Sequence, residues 1–395
     1  HKHRQDTVGF NARKVNRLLD ALRADGNYVD GISLGEGKGE IFVAHYDNRH
    51  MPVGLYQGES DNKILAAAIS LREKGKDVIV VSRDLNMRIK CDGFGIESHD
   101  YEIDKVVRSV DHLFTGVKEI TVTEEQIDAF YQKGKITLKE QKNKLYPNEF
   151  VVLKSDADGK QSALCKNTQK GKLVPVNKHT DIWGMLPRNK EQQFALDLLF
   201  DPKIELVSLI GAAGTGKTLL ATAAGLEQVV HSTKKNGGYD KLIITRPVQP
   251  MGRDIGFLPG SIEEKMAPWV APIKDNLQFL FGDKTALEMQ IEQGTIEIEA
   301  MTYIRGRSIA NAYIIVDEAQ NLTMHELKTI ITRVGDNTKI VLTGDIQQID
   351  NVYVDAVSNG LTHAVEKFKE QEISGHITLN KGERSTLATL ASEIL

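Results

Sequence analysis

Cysteine is scarce: the 395 residues contain two, Cys91 and Cys165, without metal-ligand spacing between them. That argues against a disulfide scaffold and a thiolate metal site, and it fits reduced thiols in a cytoplasmic protein. Long apolar runs are missing too. No run of about 18 apolar residues occurs, so a membrane span is not expected. A surplus of positive charge is also lacking, since 50 Lys and Arg stand against 54 Asp and Glu for a net charge of −4. No overall basic field advertises a nucleic-acid partner, and any such contact has to be a local patch. The first residues, His1-Lys2-His3-Arg4, carry neither an initiator methionine nor a signal peptide, so an excerpt with its natural N-terminus absent is expected. What remains is an ordinary globular composition, 41% hydrophobic and 26% charged, long enough for roughly two or three domains.

The stretch that organises the chain is Gly211-Ala212-Ala213-Gly214-Thr215-Gly216-Lys217-Thr218. It satisfies the phosphate-loop pattern G-x-x-x-x-G-K-[ST] at every fixed position. The run Ile204 to Ile210 before it reads as a buried parallel strand, and Leu219 to Val230 after it as a helix. In that setting consecutive backbone N–H groups, including those of Gly214, Thr215 and Gly216, converge with the helix dipole on a polyphosphate. Lys217 is expected on the β- and γ-phosphates of ATP and Thr218 on a Mg²⁺ ion.

The first hundred residues alternate helix and strand signals. Asn11 to Leu22 has helical apolar spacing, and short strands flank a Gly35 to Gly39 turn. Ser60 is expected to cap a helix from Asp61 to about Lys74, and a strand from Asp77 to Val81 leads to Ser82-Arg83-Asp84-Leu85-Asn86. Asp61 then sits at a helix start and Asp84 just past a strand end, where open α/β sheets bind ligands. This region resembles a PIN-type ribonuclease domain, in which a carboxylate cluster holds Mg²⁺ or Mn²⁺ for phosphodiester cleavage. The resemblance gives Asp61 and Asp84 catalytic and metal-binding roles. The earlier acidic positions of the PIN pattern have no counterpart here, and two carboxylates are too few for that chemistry.

From Ser109 to about Thr180 strand-like pieces, Glu119 to Val122 and Glu149 to Lys154, alternate with a short helix, Glu124 to Lys133. Asp156-Ala157-Asp158-Gly159 reads as a hairpin turn, since no glutamate stands where a calcium loop needs one. A small, mostly β connecting domain follows from this texture. No aromatic run supports an oligonucleotide-binding barrel.

Beyond Trp183, Asn189-Lys190-Glu191-Gln192-Gln193 starts an amphipathic helix. It resembles the N-x-x-Q motif of superfamily 1 helicases, where a glutamine amide reads adenine; Gln192 takes that position. Asn189 also reads as a generic helix cap. The strand Leu242 to Pro247 ends in Thr-Arg-Pro, where helicase-like domains touch nucleic acid. Ala312 to Val316 is a buried strand that ends in Asp317 and Glu318. Asp317 is expected in the Mg²⁺ shell, with Glu318 as general base for the attacking water. A third strand from Lys339 ends in Thr343-Gly344-Asp345-Ile346-Gln347-Gln348, a sensor pattern in which Gln348 meets the nucleotide.

Only residues 349–395 follow, too few for a second lobe. A one-walled cleft has to borrow its other wall, and a second copy of the chain is the economical source, which gives a ring. Arg384 is the first candidate for the arginine supplied in trans and Arg333 the second. Single-stranded RNA contacts are expected at Arg305 and Arg307, and at Arg246 and Arg253. Trp269, on a helix with Met266, Val270, Ile273 and Leu277, reads as a core anchor.

Thr-Arg-Pro with Val248-Gln249 to Gly260, Lys265 to Trp269, Arg305-Gly306-Arg307-Ser308, Asp317 to Asn321, and Lys381 to Ser385 together resemble the PhoH family, here joined to a PIN domain. The resemblance implies a hexameric ring ATPase with RNA-directed helicase and ribonuclease activity. The alternative is a nucleotide-gated regulatory or RNA-binding module without motor activity, against which Glu318 speaks as a water-positioning acid. The expected fold class is α/β throughout: a PIN-like α/β domain over residues 1–108, the β-rich connecting domain over 109–180, and a RecA-like P-loop ATPase core with a parallel sheet over 181–395.

Overall fold

The computed structural model describes residues 7–45, 51–52, 59–101, 106–107, 109–138, 144–157, 161–169, 171–231, 238–247, 262–304, 308–351 and 353–382. The chain forms two compact units, residues 1–104 and 105–395.

In the first unit, α1 (Thr7–Leu22) precedes an antiparallel pair, β1 (Ile32–Ser33) and β2 (Glu40–Ile41), joined by the Gly35 to Gly39 turn. Then come α2 (Ser60–Glu73), β3 (Ile79–Val81), α3 (Leu85–Gly93) and β4 (Glu97–His99), with β3 and β4 parallel. Leu65, Ala68 and Ile69 of α2 pack with Val80, Met87, Cys91 and Ile96 into a small core. Two boundaries correct the sequence reading. Ser60 is itself the first residue of α2, Glu59 holds the cap position, and its side chain does not bond a backbone N–H of the first turn. The third strand begins at Ile79 and not at Asp77, because β4 offers it only three paired residues.

The second unit opens with β5 (Val117–Val122), α4 (Glu124–Lys133), β6 (Ile136–Thr137), β7 (Phe150–Ser155), β8 (Ser162–Gln169) and β9 (Lys172–Pro175). These strands form one sheet in the order β5-β7-β8-β9-β6, with β5 parallel to β7 and the other pairs antiparallel. The bounds of α4 agree with the sequence reading, because both ends are written locally. Thr123 Oγ1 accepts from Gln126 N–H while Gln126 Oε1 accepts from Thr123 N–H, and Gly134 in the left-handed region stops the helix. Its Ile127 and Phe130 pack against Val151, Leu153 and Leu173. Of the expected hairpin turn, Asp158 and Gly159 lie outside the described residues.

The rest alternates α5 (Lys190–Phe200), β10 (Leu206–Gly211), α6 (Lys217–Leu226), β11 (Lys241–Arg246), α7 (Ile262–Phe281), α8 (Lys284–Glu292), β12 (Ile296–Ala300), α9 (Met301–Ile304), β13 (Ala312–Val316), α10 (Met324–Ile331), β14 (Lys339–Gly344), α11 (Gly360–Phe368) and β15 (Ser374–Leu379). The six strands form a parallel sheet in the order β12-β11-β13-β14-β10-β15. Alternate residues serve opposite faces: Val207 and Leu209 join α5, α6 and α7, whereas Leu206 and Ile210 join α10 and α11. Both faces are covered, which is why these strands read as apolar runs. The helix after β10 differs from expectation. It starts at Lys217, and residues Glu227–His231 wind as a π-helical turn where the Gln228 side chain donates to the Ala224 and Leu199 carbonyls. Among the described residues no helix is long and apolar enough to cross a membrane.

The two sheets of this unit share packing. Phe150 of β7 stacks on Phe194 of α5 at 4.4 Å between ring centroids. Thr378 N–H of β15 donates to Thr115 O at 2.9 Å, and Asn148 Nδ2 donates to Ser374 O at 2.8 Å. Gly116, with φ +78°, sits so close that a Cβ there would lie 1.9 Å from His376 O. Gly116→Ala is therefore expected to destabilise this unit by at least about 2 kcal/mol. A thermal midpoint equal to the wild type would mean that the backbone moves aside freely.

Buried charge adds a second tie. Lys166 Nζ on β8 lies 2.6 Å from Asp197 Oδ2 and 3.0 Å from Asp201 Oδ2. Burial opposes its charge, but the two carboxylates outweigh burial and hold its pKa above the usual lysine value. Lys339, first residue of β14, donates to the carbonyls of Leu198, Asp201 and Ile204 at the end of α5. Burial pushes its pKa down to about 7, with Asp201 and Glu205 pulling upward.

Candidate nucleotide and metal site

The site forms where neighbouring strands send their chains to opposite faces. After β10 the chain enters α6 on one face, and after β14 it reaches α11 on the other. The crevice outside the carboxyl ends of such a strand pair is the usual ligand site of an open parallel sheet. Gly211 ends β10 there, and Gly344 ends β14.

The phosphate loop bends back through Gly214 at φ +82° and Gly216 at φ +87°, a region that side chains with a Cβ rarely enter. Thr215 Oγ1 donates to Ala212 O at 2.9 Å, and Lys217 Nζ donates to the same carbonyl at 3.1 Å. Lys217 and Thr218 begin α6, so the loop N–H groups and the helix N-terminus point the same way. Ala213 N–H already donates to a carboxylate, Asp345 Oδ2, at 3.1 Å. An anionic oxygen in that position is what a phosphate would also supply.

One strand over, β13 ends at Val316, and Asp317 N–H is held by Thr245 O at 2.9 Å. Asp317 is buried, and its Oδ1 accepts from Thr218 Oγ1 at 2.8 Å and from Thr343 Oγ1 at 2.6 Å. Residues from the ends of three adjacent elements thus converge on one carboxylate oxygen. A carboxylate with two hydroxyls is a hard-oxygen donor set, and it fits a divalent cation held beside phosphates.

Glu318 follows in the left-handed conformation, φ +54°. Its Oε1 lies 3.4 Å from Arg246 Nη2, and its Oε2 accepts from Gln320 Nε2 at 2.5 Å. Gln320 also donates to Gln348 O at 2.9 Å and accepts from Asp345 N–H at 3.1 Å. Gln348 itself enters this network through its main chain, and its side chain is exposed.

Gln192 is buried beside the loop. Its Nε2 donates to Thr215 O at 3.1 Å, its Oε1 accepts from Arg188 N–H at 2.8 Å, and its own N–H is capped by Asn189 Oδ1 at 2.9 Å. The Asn189 cap read from the sequence is present. The Gln192 amide ties the preceding helix to the phosphate loop.

Sequence reasoning passed over Thr343, Gln320 and Asp345 as site residues. All three lie inside the stretches it singled out, but their convergence depends on β14 running between β10 and β13. Arg333 is exposed at the end of α10, and its carbonyl accepts from Ile309 N–H before β13 begins, at the amino side of the sheet. It stands far along the fold from its own phosphate loop. Arg253, Arg305, Arg307 and Arg384 lie outside the described residues, as does the Trp269 side chain.

In the first unit Asp61 is half-buried in the first turn of α2. Asp84 is exposed and caps α3, its Oδ1 accepting from Asn86 N–H at 2.8 Å and Met87 N–H at 3.3 Å. Among the described residues, no three His, Cys, Asp or Glu side chains gather as a metal site. Asp61 and Asp84 by themselves are fewer oxygen ligands than a catalytic metal centre needs.

A family model described as PhoH-like protein matches residues 185–394, and one described as PIN domain matches residues 1–102. Protein PhoH2 of Bacillus subtilis (strain 168) is 44% identical over 409 residues, which span 100% of this chain and 91% of that protein. Protein PhoH2 of Thermobispora bispora is 36% identical, with coverage of 100% and 88%. Protein PhoH of Escherichia coli (strain K12) is 38% identical over 205 residues, 51% of this chain and 54% of that protein. With a P-loop site at its sheet switch point and full-length relatives of this identity, the chain belongs to the PhoH family and joins a PIN domain to its PhoH region.

Proposed function

We propose that this protein hydrolyses ATP with Mg²⁺ on a single RecA-like lobe, in a homo-oligomeric ring, and uses that turnover to move along and unwind RNA in the cytoplasm. The observation that carries the reading is the convergence of Thr218 and Thr343 on Asp317, with Glu318 next in sequence. Bound Mg²⁺ would neutralise the phosphate oxygens. Asp317 and Thr218 would hold that ion, and Lys217 would reach the β- and γ-phosphates. Glu318 orients a water whose oxygen bonds to the γ-phosphorus as the bond to the bridging oxygen of ADP breaks; the water's proton passes to the carboxylate.

One lobe gives one wall. We assign the second wall to a neighbouring copy, with Arg384 as the arginine supplied in trans and a hexamer as the ring. Arg246, Arg253, Arg305 and Arg307 are the proposed contacts to single-stranded RNA. The PIN domain is proposed to cleave strand delivered by the ring, with Asp61 and Asp84 as two of the oxygen ligands that a Mg²⁺ or Mn²⁺ ion would need there. We also propose that the chain divides at residue 108, between the PIN domain and the connecting sheet, and at residue 180, between that sheet and the ATPase core.

Particle mass in solution with and without ATP, read alongside turnover, tests the ring. The expected result is a ring-sized particle with ATP, and ATPase activity that rises with protein concentration and with added single-stranded RNA. A monomer hydrolysing ATP at an undiminished rate would end the two-copy pocket.

A further inference from the structure

The ion pair between Arg246 and Glu318 joins two residues with separate proposed tasks, one at the RNA and one at the water. Strand register brings them together. Thr245 of β11 lies opposite Val316 of β13, so Arg246, the last residue of β11, and Glu318, two residues past the end of β13, stand at the same end of the sheet. Arg246 Nη2 stands 3.4 Å from Glu318 Oε1, and Gln320 Nε2 stands 2.5 Å from Oε2. Each carboxylate oxygen therefore carries a donor from the protein itself. The side chains of the pair are 26% and 31% exposed, so the guanidinium remains within reach of solvent and of an incoming phosphate.

We infer that Arg246 is a positioning residue that couples RNA contact to hydrolysis: without RNA it tethers Glu318 away from its water, and an RNA phosphate that takes the guanidinium frees the carboxylate. This rests on the ATPase reading above. The exchange of partners is favourable in kind. A partly exposed ion pair at 3.4 Å is weak, whereas a guanidinium on a phosphate can make two parallel charge-assisted bonds. The tether also continues inward. From Glu318 it runs through Gln320 to Asp345 N–H, and from the Asp345 carboxylate to Ala213 N–H of the phosphate loop. Both ends of the device thus touch one hydrogen-bonded chain, and because the effect falls on turnover and not on ATP binding, it requires no matching shift of RNA affinity with nucleotide state.

The test compares wild type, Arg246→Gln and Arg246→Lys for steady-state ATP hydrolysis with and without a uridine 30-mer, and for binding of the same RNA across a salt series. In Arg246→Gln the RNA-free kcat should rise roughly fivefold with little change in KM for ATP, the scale a pair of this exposure holds back. Stimulation by RNA should disappear. The slope of log affinity against log salt should shrink by about 0.7, one phosphate contact on a single strand. Arg246→Lys keeps the charge but not the two parallel bonds, so it should keep the slope and part of the stimulation, and it decides the matter if the glutamine variant does not fold. Unchanged or lower RNA-free turnover in Arg246→Gln with stimulation intact overturns the coupling, as does loss of stimulation in Arg246→Lys at wild-type RNA affinity. A wild-type protein that splits no ATP overturns the proposed function itself and is recognised separately.

Discussion

Glu318→Gln is expected to bind ATP as the wild type does and to hydrolyse it at least about a hundredfold more slowly, the usual cost of losing a positioned proton acceptor. The amide keeps the shape of the carboxylate and can still meet Gln320, so the loop and the Asp317 cluster stay built. What it loses is the capacity to accept the water's proton. Because Lys217, Thr218 and Asp317 hold phosphate and cation without Glu318, binding and turnover should separate cleanly. Phosphate release and a nucleotide-binding titration on the same preparation decide it. Turnover equal to the wild type would remove Glu318 from the reaction.

The largest loss of stability is expected from Asp197→Ala. Asp197 has no exposed side-chain surface and binds Lys166 at 2.6 Å, while its Oδ1 accepts from Asn177 N–H at 2.9 Å. Removing the carboxylate strands a buried ammonium on Asp201 alone, and breaking such a pair from one side costs about 3–5 kcal/mol. Replacing both partners with apolar residues of similar volume, Asp197→Leu with Lys166→Met, should recover most of that, since the charge and its desolvation leave together. Urea unfolding followed by tryptophan fluorescence reads the right part of the molecule, because Trp183 and Trp269 both belong to the 105–395 unit. Equal midpoints for the single and double variants would show that Lys166 finds another partner or water.

Much of this molecule could be read from its residues because the signals were local. The phosphate loop announces itself by a glycine pattern between a strand and a helix. The helix at Glu124–Lys133 carries its own cap and stop within a few residues. Asp317 and Glu318 stand at the end of an apolar run that could only be a buried strand. What stayed hidden depends on which strands become neighbours. Nothing near Arg246 in the chain points to Glu318; the pair exists because β11 lies beside β13. Thr343 reaches Asp317 for the same reason, through β14. No local signal pairs Lys166 with Asp197, and only the packing of the connecting sheet on α5 buries them together. The start of α2 failed differently: Ser60 had the right chemistry for a cap, but backbone geometry put Glu59 in that place.

The hold of Thr115 and Asn148 on β15 has one more effect. That strand is the outermost of a parallel sheet, and its far side would otherwise offer bare amides and carbonyls to any passing chain. With Thr378 and Ser374 already engaged from within the same polypeptide, fusion of two molecules into a continuous sheet is obstructed on this flank, and crowded copies are steered toward contacts that can come apart.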